Sequence, residues 1–562
     1  MRLMEIRRQI EDAITHTLAE LGITATVPVV LEYPADITHG DYSTNVALVY
    51  AKVTQKNPKL LAEEIVTHLG SIDGVAKIEI AGPGFINFTL APQAVATSLE
   101  QARATDMWGA NTTLKGEQIL MEYTSPNLFK PLHIGNLVGN ILGESIARLM
   151  QFSGGTVMRL NYPSDIGPTV AKGVWGLIQT KGSPKDIKAL GEAYRTGNDG
   201  YENSPAAKTE IDAINKKLYE ESDPILNELR RLGIETSRAH LDALCAKLGT
   251  NFDTEIFESE AGPVGQKIVM EHMADGIFEK SDGAVVFSGE QSGLHTRVFI
   301  NSAGLPTYEA KDLGNFFLKQ QKYPQWTESF VVTGVEQQEY FKVIIAAIKK
   351  VFPTAEGKRI EHIPTGFLTL TTGKMSSRKG NVLTGESLIA DLEESAKERA
   401  AESRAENHDK LAEQIAVAAI KYQILKQGSG KNIIFDREKA LSMEGDSGPY
   451  LQYTYARTCA ISIKAKESGV VAEINADAAP NDVTRLLVRF PEIVAHASEV
   501  LEPHLVTQYL LLLAAAFNSW YAQEQILDGT PEAAHKVAVV EALSRTLKNG
   551  LWILGIPAPE QI

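Results

Sequence analysis

Cysteine is nearly missing from this chain of 562 residues, which contains Cys245 and Cys459 and no others. The two lie far apart and no Cys-x-x-Cys spacing occurs, so the sequence indicates neither a disulfide framework nor a zinc site. No apolar run approaches the ~20 residues that a membrane helix needs. The first residues are charged from Arg2 onward and lack the apolar core of a signal peptide. We therefore expect a cytoplasmic protein that makes no use of a membrane.

A surplus of basic residues is also missing. The chain has 55 Lys and Arg against 70 Asp and Glu, a net charge of −15. This balance argues against general adhesion to nucleic acid, although a specific RNA partner remains open because phosphate binding depends on where the cations cluster. The 44% hydrophobic and 22% charged residues are typical of a globular protein. A chain of this length should divide into about three or four domains.

No Walker A sequence is present either, so a bound nucleotide would need another cradle. The segment Glu122–Ser145 is a candidate. Apolar runs at 118–123 and 156–161 predict flanking strands, and apolar residues from Ile134 to Leu149 recur at helical spacing. The pattern predicts a strand, loop, helix, strand unit in which Pro131 occupies the first helical turn.

Within this helix, glycine recurs at every fourth position, at Gly135, Gly139 and Gly143. Two interpretations remain open at this point. The bare face could allow tight packing of the helix on a sheet. Alternatively, the helix N-terminus could be an anion site at which His133 and Lys130 add donors to the free backbone N–H groups.

A second stretch, residues 373–383, combines Lys374, Arg378 and Lys379 with two serines and no apolar period. A solvated surface charge run is the plainer interpretation. However, mobile cations and hydroxyls also suit a polyphosphate whose charge must be neutralised as it leaves. We therefore expect ATP to bind between the helix start and this basic loop.

These two stretches, about 240 residues apart, resemble the two signature motifs of class I aminoacyl-tRNA synthetases. Residues 125–135 are similar to the arginyl-tRNA synthetase version. The resemblance implies an arginine–tRNA ligase that activates L-arginine with ATP, releases pyrophosphate, and transfers arginine to the 2′-OH of the terminal adenosine of tRNA(Arg). It implies Mg²⁺ accompanying ATP, no zinc, and a monomer.

The resemblance also assigns residues to the nucleotide end of the site. Catalytic roles fall to Lys130, His133, Asn136 and Lys374. ATP contacts fall to His133, Gly135, Asn136, Lys374, Met375 and Ser376. Lys130 would replace the second lysine of the class signature, where Ser377 stands. Asn136 stands where the family has a second histidine, and its amide can donate a hydrogen bond but cannot carry positive charge, so we expect weaker transition-state stabilisation.

A guanidinium substrate calls for a planar acceptor, because a forked donor pairs bidentately with a carboxylate. Glu122 at the end of the first predicted strand meets this need. Tyr308 and Asp312 are four residues apart and would share one helix face, where the ring could stack on the guanidinium and the carboxylate accept from it. By the resemblance, further contacts to the amino acid come from Ser125, Asn127 and Gln337.

The predicted fold class is α/β, a class I synthetase of three domains. An N-terminal α/β domain over 1–115 would contact the tRNA elbow by the resemblance, with an opening helix and a strand at 27–33. A Rossmann-type catalytic domain would span 116–386, with a helical insertion at about 181–265. A helical domain over 387–562 resembles the family's anticodon-binding domain. Its predicted RNA contacts are Tyr450, Tyr453 and Tyr521, since aromatic faces stack on bases.

Two other functions remain possible from the sequence. Asn136 motivates a tRNA-binding paralogue of the same fold without ligase activity. A small-molecule adenylyltransferase could use the same helix start, although it would have no use for a large helical domain rich in aromatic residues.

Overall fold

The structure is a computed structural model that describes residues 3–290, 293–371, 384–403 and 405–562. The predicted basic loop, with Lys374, Met375 and Ser376, lies outside the described residues.

The N-terminal region is a small α/β unit, as predicted. Its elements are α1 (Leu3–Glu20), β1 (Tyr42–Thr44), α2 (Val46–Thr54), α3 (Pro58–Leu69), β2 (Val75–Ala81), β3 (Phe85–Leu90) and α4 (Pro92–Ala104). The strands form an antiparallel sheet in the order β1-β3-β2. The helices cover this sheet with apolar faces, and Ile10 and Ile14 of α1 are fully buried.

The predicted strand at 27–33 is wrong. In this segment only Glu32 makes a β-bridge, to Ser43, among the residues that the structure describes. The backbone N–H groups of Thr26 and Val27 donate to the Tyr50 hydroxyl instead of to a neighbouring strand. This β-branched sequence forms a loop with a single bridge to the edge strand β1, and the Tyr50 hydroxyl accepts its backbone donors.

The predicted catalytic region, 116–386, contains a parallel sheet with helices around it. Its elements are β4 (Gln118–Glu122), α5 (Ile134–Phe152), β5 (Thr156–Asn161), α6 (Pro168–Thr180), α7 (Ile187–Asn203), α8 (Pro205–Tyr219), α9 (Pro224–Lys247), β6 (Thr254–Glu255), α10 (Glu258–Glu271), β7 (Glu279–Ser281), β8 (Ala284–Phe287), β9 (Arg297–Ile300), α11 (Tyr308–Lys322), β10 (Glu328–Gly334), α12 (Gln338–Val351), β11 (Arg359–Thr365) and β12 (Leu368–Leu370). The predicted strand, helix, strand unit is confirmed as β4, α5 and β5.

The parallel sheet has the strand order β11-β10-β4-β5-β6. From β4 the chain passes to β5 on one side, and it later returns to β10 on the other side. The strand order thus reverses between β4 and β10, which is where open parallel sheets bind ligands. The helices α7, α8 and α9 fall in the predicted insertion and pack as a separate apolar cluster around Phe129 and Leu190.

The C-terminal region is almost entirely helical, as predicted. Its elements are α13 (Gly385–Ala401), α14 (His408–Leu425), β13 (Ile433–Phe435), α15 (Arg437–Ala440), α16 (Gly448–Glu467), α17 (Asp482–Leu487), α18 (Phe490–Val500), α19 (His504–Gln523) and α20 (Ala533–Ile553). The helical pattern at 485–500 is divided between α17 and α18, because Pro491 lies in the first turn of a new helix. β13 pairs with β12 of the catalytic region.

One buried apolar cluster runs through the N-terminal unit, helix α5 and the C-terminal helices, so these regions share a core. The predicted boundaries at 115/116 and 386/387 stay predictions, and the second falls in the first turn of α13. Within the described ranges, no helix combines the length and apolarity that a membrane crossing requires.

Candidate active site

The residues predicted to bind the substrate arginine lie at the carboxyl edge of the parallel sheet, where β4 and β10 separate. Glu122 is the last residue of β4 and lies opposite Val331 of β10. Gln337 follows β10 in a short 3-10 turn and is exposed. Tyr308 begins α11 with its side chain 60% exposed, and Asp312 lies one turn further along the same helix, as the spacing predicted.

Glu122 is buried, with 4% of its surface exposed. Its Oε2 accepts a hydrogen bond of 2.9 Å from the Asn315 amide and forms an ion pair with the Lys319 ammonium. The carboxylate that the sequence offered for a guanidinium therefore already has a cation from the protein. Its charge is largely compensated before any substrate arrives.

Asp312 lies in the same pocket, and no Lys or Arg of the described ranges forms an ion pair with it, although the charge of Lys319 acts on it. The Tyr340 hydroxyl donates a 2.6 Å hydrogen bond to its Oδ2. Burial raises the pKa of this carboxyl to about 7, and the negative charge of Glu122 adds to the rise although the Tyr340 hydrogen bond opposes it. A bound cation would favour the charged form and reverse this shift.

Three further residues of the pocket had no role in the sequence analysis: Glu258, Tyr162 and Tyr340. Glu258 is buried and pairs with the Lys311 ammonium at 2.7 Å, and that ammonium lies 5.3 Å from the Tyr308 ring centroid. Burial, and after it the charges of Asp312 and Glu258, raise the pKa of the Tyr162 phenol well above its usual value. The pocket therefore combines three carboxylates, two of them already paired with lysines, with an aromatic face that attracts cations.

Backbone strain marks the loop between β4 and α5. Thr124, Ser125 and Phe129 have φ angles of +78°, +37° and +68°, which non-glycine residues adopt only when the surroundings impose them. The Asn136 amide donates a 2.8 Å hydrogen bond to the Thr124 carbonyl, and the Asn140 amide donates one of 3.0 Å to the Thr124 hydroxyl. Asn136 therefore stabilises the strained loop, a role that the sequence did not indicate.

The predicted head-group residues lie in this loop. The Ser125 hydroxyl is buried and has no hydrogen-bond partner among the described residues. Asn127 is exposed and forms a parallel bridge with Ser164, next to β5. A buried hydroxyl without a partner leaves a donor and an acceptor available to a ligand.

Helix α5 begins at Ile134, so Pro131 lies before the helix and its predicted place in the first turn is wrong. His133 is the N-cap, and its Nδ1 accepts a 3.1 Å hydrogen bond from the Gly135 N–H. Burial, with the nearby charge of Lys130 as the second cause, lowers the pKa of this imidazole. A neutral ring that accepts at Nδ1 carries its proton at Nε2, where it can donate to a ligand.

The glycine row packs closely at one end of the helix, and its anion site at the other end stays a prediction. A Cβ on Gly143 would lie 2.4 Å from the Tyr123 ring, so this glycine permits close packing of the helix on the residue after β4. A Cβ on Gly135 would meet only the His133 ring, at 3.3 Å. The first turn of α5 is therefore free to receive a ligand.

A cavity of about 670 Å³ lies beside this helix start, and Asn127, Lys130 and His133 contribute to its lining. On its far side, the Gly385 N–H donates a 3.0 Å hydrogen bond to the Leu132 carbonyl. The chain that follows the basic loop is thus attached to the first signature. The basic loop itself lies outside the described residues, so its meeting with the first signature stays a prediction.

The sequence matches three family models. The model of the class I (R) tRNA synthetase catalytic domain matches residues 98–437. The arginyl tRNA synthetase N-terminal domain matches residues 8–90, and the DALR anticodon binding domain matches residues 451–562. The chain belongs to the arginyl-tRNA synthetase family.

Relatives of the whole chain bear the same family name. The arginine–tRNA ligase of Lactobacillus acidophilus is 30% identical over 100% of both chains, and that of Borrelia hermsii is 29% identical over 98% of this chain and 99% of its own. The solved arginyl-tRNA synthetase of Thermus thermophilus matches with a TM-score of 0.80 and 26% identity over 99% of both chains. These matches confirm the predicted family and fold class. They give no support to the two alternative functions.

The helical region of this arginyl-tRNA synthetase presents an aromatic platform formed by Tyr453, Arg457 and Tyr521. The Arg457 guanidinium lies 4.7 Å from the Tyr453 ring centroid and 5.0 Å from that of Tyr521. The two rings are 37% and 40% exposed. Tyr450 is half-buried beside them, and its hydroxyl accepts from the Asn518 amide at 3.0 Å. Arg457 was not among the predicted contacts, yet it joins the two predicted tyrosines.

Within the described parts of the chain, no group of three or more His, Cys, Asp or Glu side chains could hold a metal ion. Magnesium, however, is commonly bound through substrate phosphates and water with one or two carboxylates, and such binding needs no cage of protein ligands.

Proposed function

We propose that this arginine–tRNA ligase binds the guanidinium of L-arginine between Asp312, Glu122 and the ring of Tyr308. The observation that carries the proposal is the pocket of carboxylates at the reversal of strand order, in which Asp312 forms no ion pair with any residue that the structure describes. A carboxylate in a desolvated pocket binds a cation strongly because few water molecules compete with it. The ring of Tyr308 would stack on the guanidinium plane.

The same geometry supports selection against lysine. Tyr340 orients the Asp312 carboxylate, and a planar acceptor matches a forked donor better than a point charge. We propose that Ser125, Asn127 and Gln337 hold the amino and carboxylate groups of the substrate. The unpaired hydroxyl of Ser125 supports this role.

We propose that the phosphates of ATP bind at the first turn of α5. His133 would donate from Nε2, and Gly135 would let the nucleotide approach the backbone. Lys130 would add a positive charge beside the cavity. Asn136, Lys374, Met375 and Ser376 complete the proposed ATP contacts. Mg²⁺ would arrive with ATP. The negative charge of Glu336 acts on His133 and partly opposes the lowering of its pKa.

The reaction then needs little acid or base chemistry from side chains. The carboxylate oxygen of arginine attacks the α-phosphorus of ATP, and the bond to the departing pyrophosphate breaks. The 2′-OH of the terminal adenosine next attacks the carbonyl carbon of the adenylate, loses its proton and displaces AMP. Catalysis lies in positioning the reactants and in stabilising charge on the α-phosphate and pyrophosphate.

We propose that residues 387–562 read the anticodon with Tyr450, Tyr453 and Tyr521, because exposed aromatic faces beside a guanidinium suit unstacked bases. Residues 116–386 would carry the catalysis. The enzyme would act as a monomer in the cytoplasm, where tRNA is charged.

We propose that the N-terminal unit, 1–115, contacts the tRNA elbow. Lys52, Lys56 and Lys59 are exposed on one side of it, and Val53 and Leu60 next to them are also exposed. Cations attract the phosphates, and exposed apolar side chains can pack on bases at the elbow.

Arginine-dependent exchange of pyrophosphate into ATP tests the function. We expect exchange with arginine but not with lysine, ornithine or citrulline, and stimulation by tRNA. A protein that is folded and binds tRNA but gives no exchange under any of these conditions would contradict the proposed activity. Asn136 would then be the first residue to replace with histidine.

A further inference from the structure

The N-terminal unit and the helical region meet at a buried carboxylate, Glu492. It lies on α18 and has 8% of its surface exposed. Its hydrogen-bond donors all come from the other end of the chain, 450 or more residues away. Such a contact cannot arise from local sequence and exists only because the two regions are docked.

Three donors surround Glu492. The Tyr42 hydroxyl donates to Oε1 at 2.5 Å, and the Tyr33 hydroxyl donates to Oε2 at 2.6 Å. The Arg7 guanidinium donates to Oε2 at 2.9 Å. These donors belong to a helix, a loop and a strand of the N-terminal unit. One carboxylate therefore connects three separate segments of that unit to one helix of the other region.

A second ion pair supports the same contact. The Arg485 guanidinium of α17 pairs with Asp41 at 2.7 Å, and Asp41 also accepts from the Leu90 N–H at 2.7 Å. The Arg489 guanidinium lies 4.4 Å from the Tyr33 ring centroid. Apolar contact alone tolerates sliding, whereas buried hydrogen bonds of charged groups have preferred directions and cost free energy when one partner is displaced.

The two sides of this contact lead directly to the two proposed RNA surfaces. Tyr42 begins β1, and the chain continues into α2, which carries Lys52. Glu492 belongs to α18, and the chain continues into α19, which carries Tyr521. The side chains around Glu492 are therefore one of the contacts, together with the Arg103–Glu541 ion pair between α4 and α20, that hold one RNA surface relative to the other.

We propose that Glu492 is a positioning residue for tRNA, which sets the angle between the N-terminal unit and the aromatic platform so that one tRNA contacts both. The inference rests on the proposed elbow contact of the N-terminal unit. It assigns Glu492 no contact with RNA. Its effect is expected in the KM for tRNA and not in the chemistry.

A cycle that combines a protein variant with an RNA variant tests this role. Glu492→Gln keeps the size of the side chain and removes the charge that Arg7 pairs with. The substrates are a tRNA(Arg) transcript and the same transcript with its D-loop shortened at the elbow. The wild-type enzyme should charge the shortened RNA with a kcat/KM lowered about tenfold.

Glu492→Gln should lower kcat/KM for the intact RNA by a similar factor, mainly through KM. It should change charging of the shortened RNA less than about twofold, because that RNA has no elbow contact to lose. Two variants on α18 serve as controls. Glu499→Gln alters an exposed carboxylate, and Val494→Ala lowers stability at a buried position; both should keep the full preference for intact RNA.

The failures are distinguishable. If the wild-type enzyme charges both RNAs equally well, the proposed elbow contact is wrong, and so is the positioning role of Glu492 that rests on it. If the wild-type enzyme discriminates and Glu492→Gln discriminates equally, the elbow contact stands and Glu492 serves stability alone. Should Glu492→Gln fail to fold, Tyr42→Phe removes a single donor and must show the same loss of preference, in smaller degree, or the proposal is overturned.

Discussion

The two ends of the proposed active site differ in how far their polar groups are buried and paired within the protein. At the arginine end the carboxylates are buried and mostly paired inside the protein, Glu122 with Lys319 and Glu258 with Lys311. At the ATP end the groups that would meet the substrate, His133 and Gly135, are exposed. The difference matches the substrates that we propose. A small cation can enter a desolvated pocket, whereas a polyphosphate brings water and Mg²⁺ with it and leaves in part as pyrophosphate.

The comparison also separates Asp312 from the other acids of the pocket. Glu122 and Glu258 have ammonium partners from α11, so a substrate guanidinium must share them. Among the described residues, Asp312 accepts a hydrogen bond from the Tyr340 hydroxyl and forms no ion pair. We therefore expect the binding free energy of arginine to depend most on Asp312.

The largest expected effect follows from Asp312→Asn. Loss of the negative charge should raise the KM for arginine about 30-fold or more, because truncating a desolvated charge pair costs about 2 kcal/mol or more. The KM for ATP should change less than about twofold. Both constants are measured by pyrophosphate exchange.

Glu271→Gln is the control for this variant, since Glu271 is exposed at the end of α10 and pairs with the exposed Lys267. It should leave both constants near their wild-type values. Equal losses for arginine and ATP in Asp312→Asn would remove the guanidinium assignment and with it the contrast between the two ends.

A smaller effect is expected from pH. Asp312 has a pKa of about 7 in the free enzyme, so it takes up a proton as the pH falls through that value and must release it to pair with a guanidinium. The KM for arginine should therefore rise about tenfold between pH 8 and pH 6, while the KM for ATP changes less.

Asp312→Asn should flatten this profile. The same raised pKa means that the folded protein binds a proton which the unfolded chain has already lost, so Asp312 lowers stability as the pH rises towards and through 7. The melting temperature of Asp312→Asn should accordingly exceed that of the wild type at pH 8 and approach it at pH 4. A wild-type KM for arginine that is constant from pH 6 to pH 8 would show that Asp312 does not titrate there.

The smallest effect on kcat/KM is expected from substitution of Asn136, which we place at both the arginine end and the ATP end of the site. Its amide supports the strained loop that carries Ser125, so Asn136→Ala should affect arginine and ATP together. We expect a loss of about fivefold in kcat/KM for each substrate, the size of one hydrogen bond. Asn136→His can still donate to the Thr124 carbonyl and should retain the binding of arginine. A loss confined to ATP in Asn136→Ala would restore the simpler view that Asn136 serves only the phosphates.

Features that depend on short stretches of chain could be predicted from the sequence. The strands around α5 and the His133 helix start followed from apolar spacing and glycine placement within about 40 residues. The shared face of Tyr308 and Asp312 followed from the helical repeat alone. Two such predictions were wrong. Pro131 lies outside the helix, because His133 supplies the cap, and residues 27–33 form a loop with a single bridge to β1.

What the sequence by itself determined was therefore the family, the succession of helices and strands, and the residue types at the cleft, because each depends on patterns within short segments or on matches to known signatures. Only the tertiary structure decided that Lys319 neutralises Glu122, that Glu258 and Tyr340 lie beside Asp312, and that Arg457 joins tyrosines of two helices. It also decided that the Tyr42 hydroxyl donates a hydrogen bond to the Glu492 carboxylate. These pairs are formed by packing between segments distant in the chain, and no local periodicity encodes which buried charge a distant segment will bring to its partner.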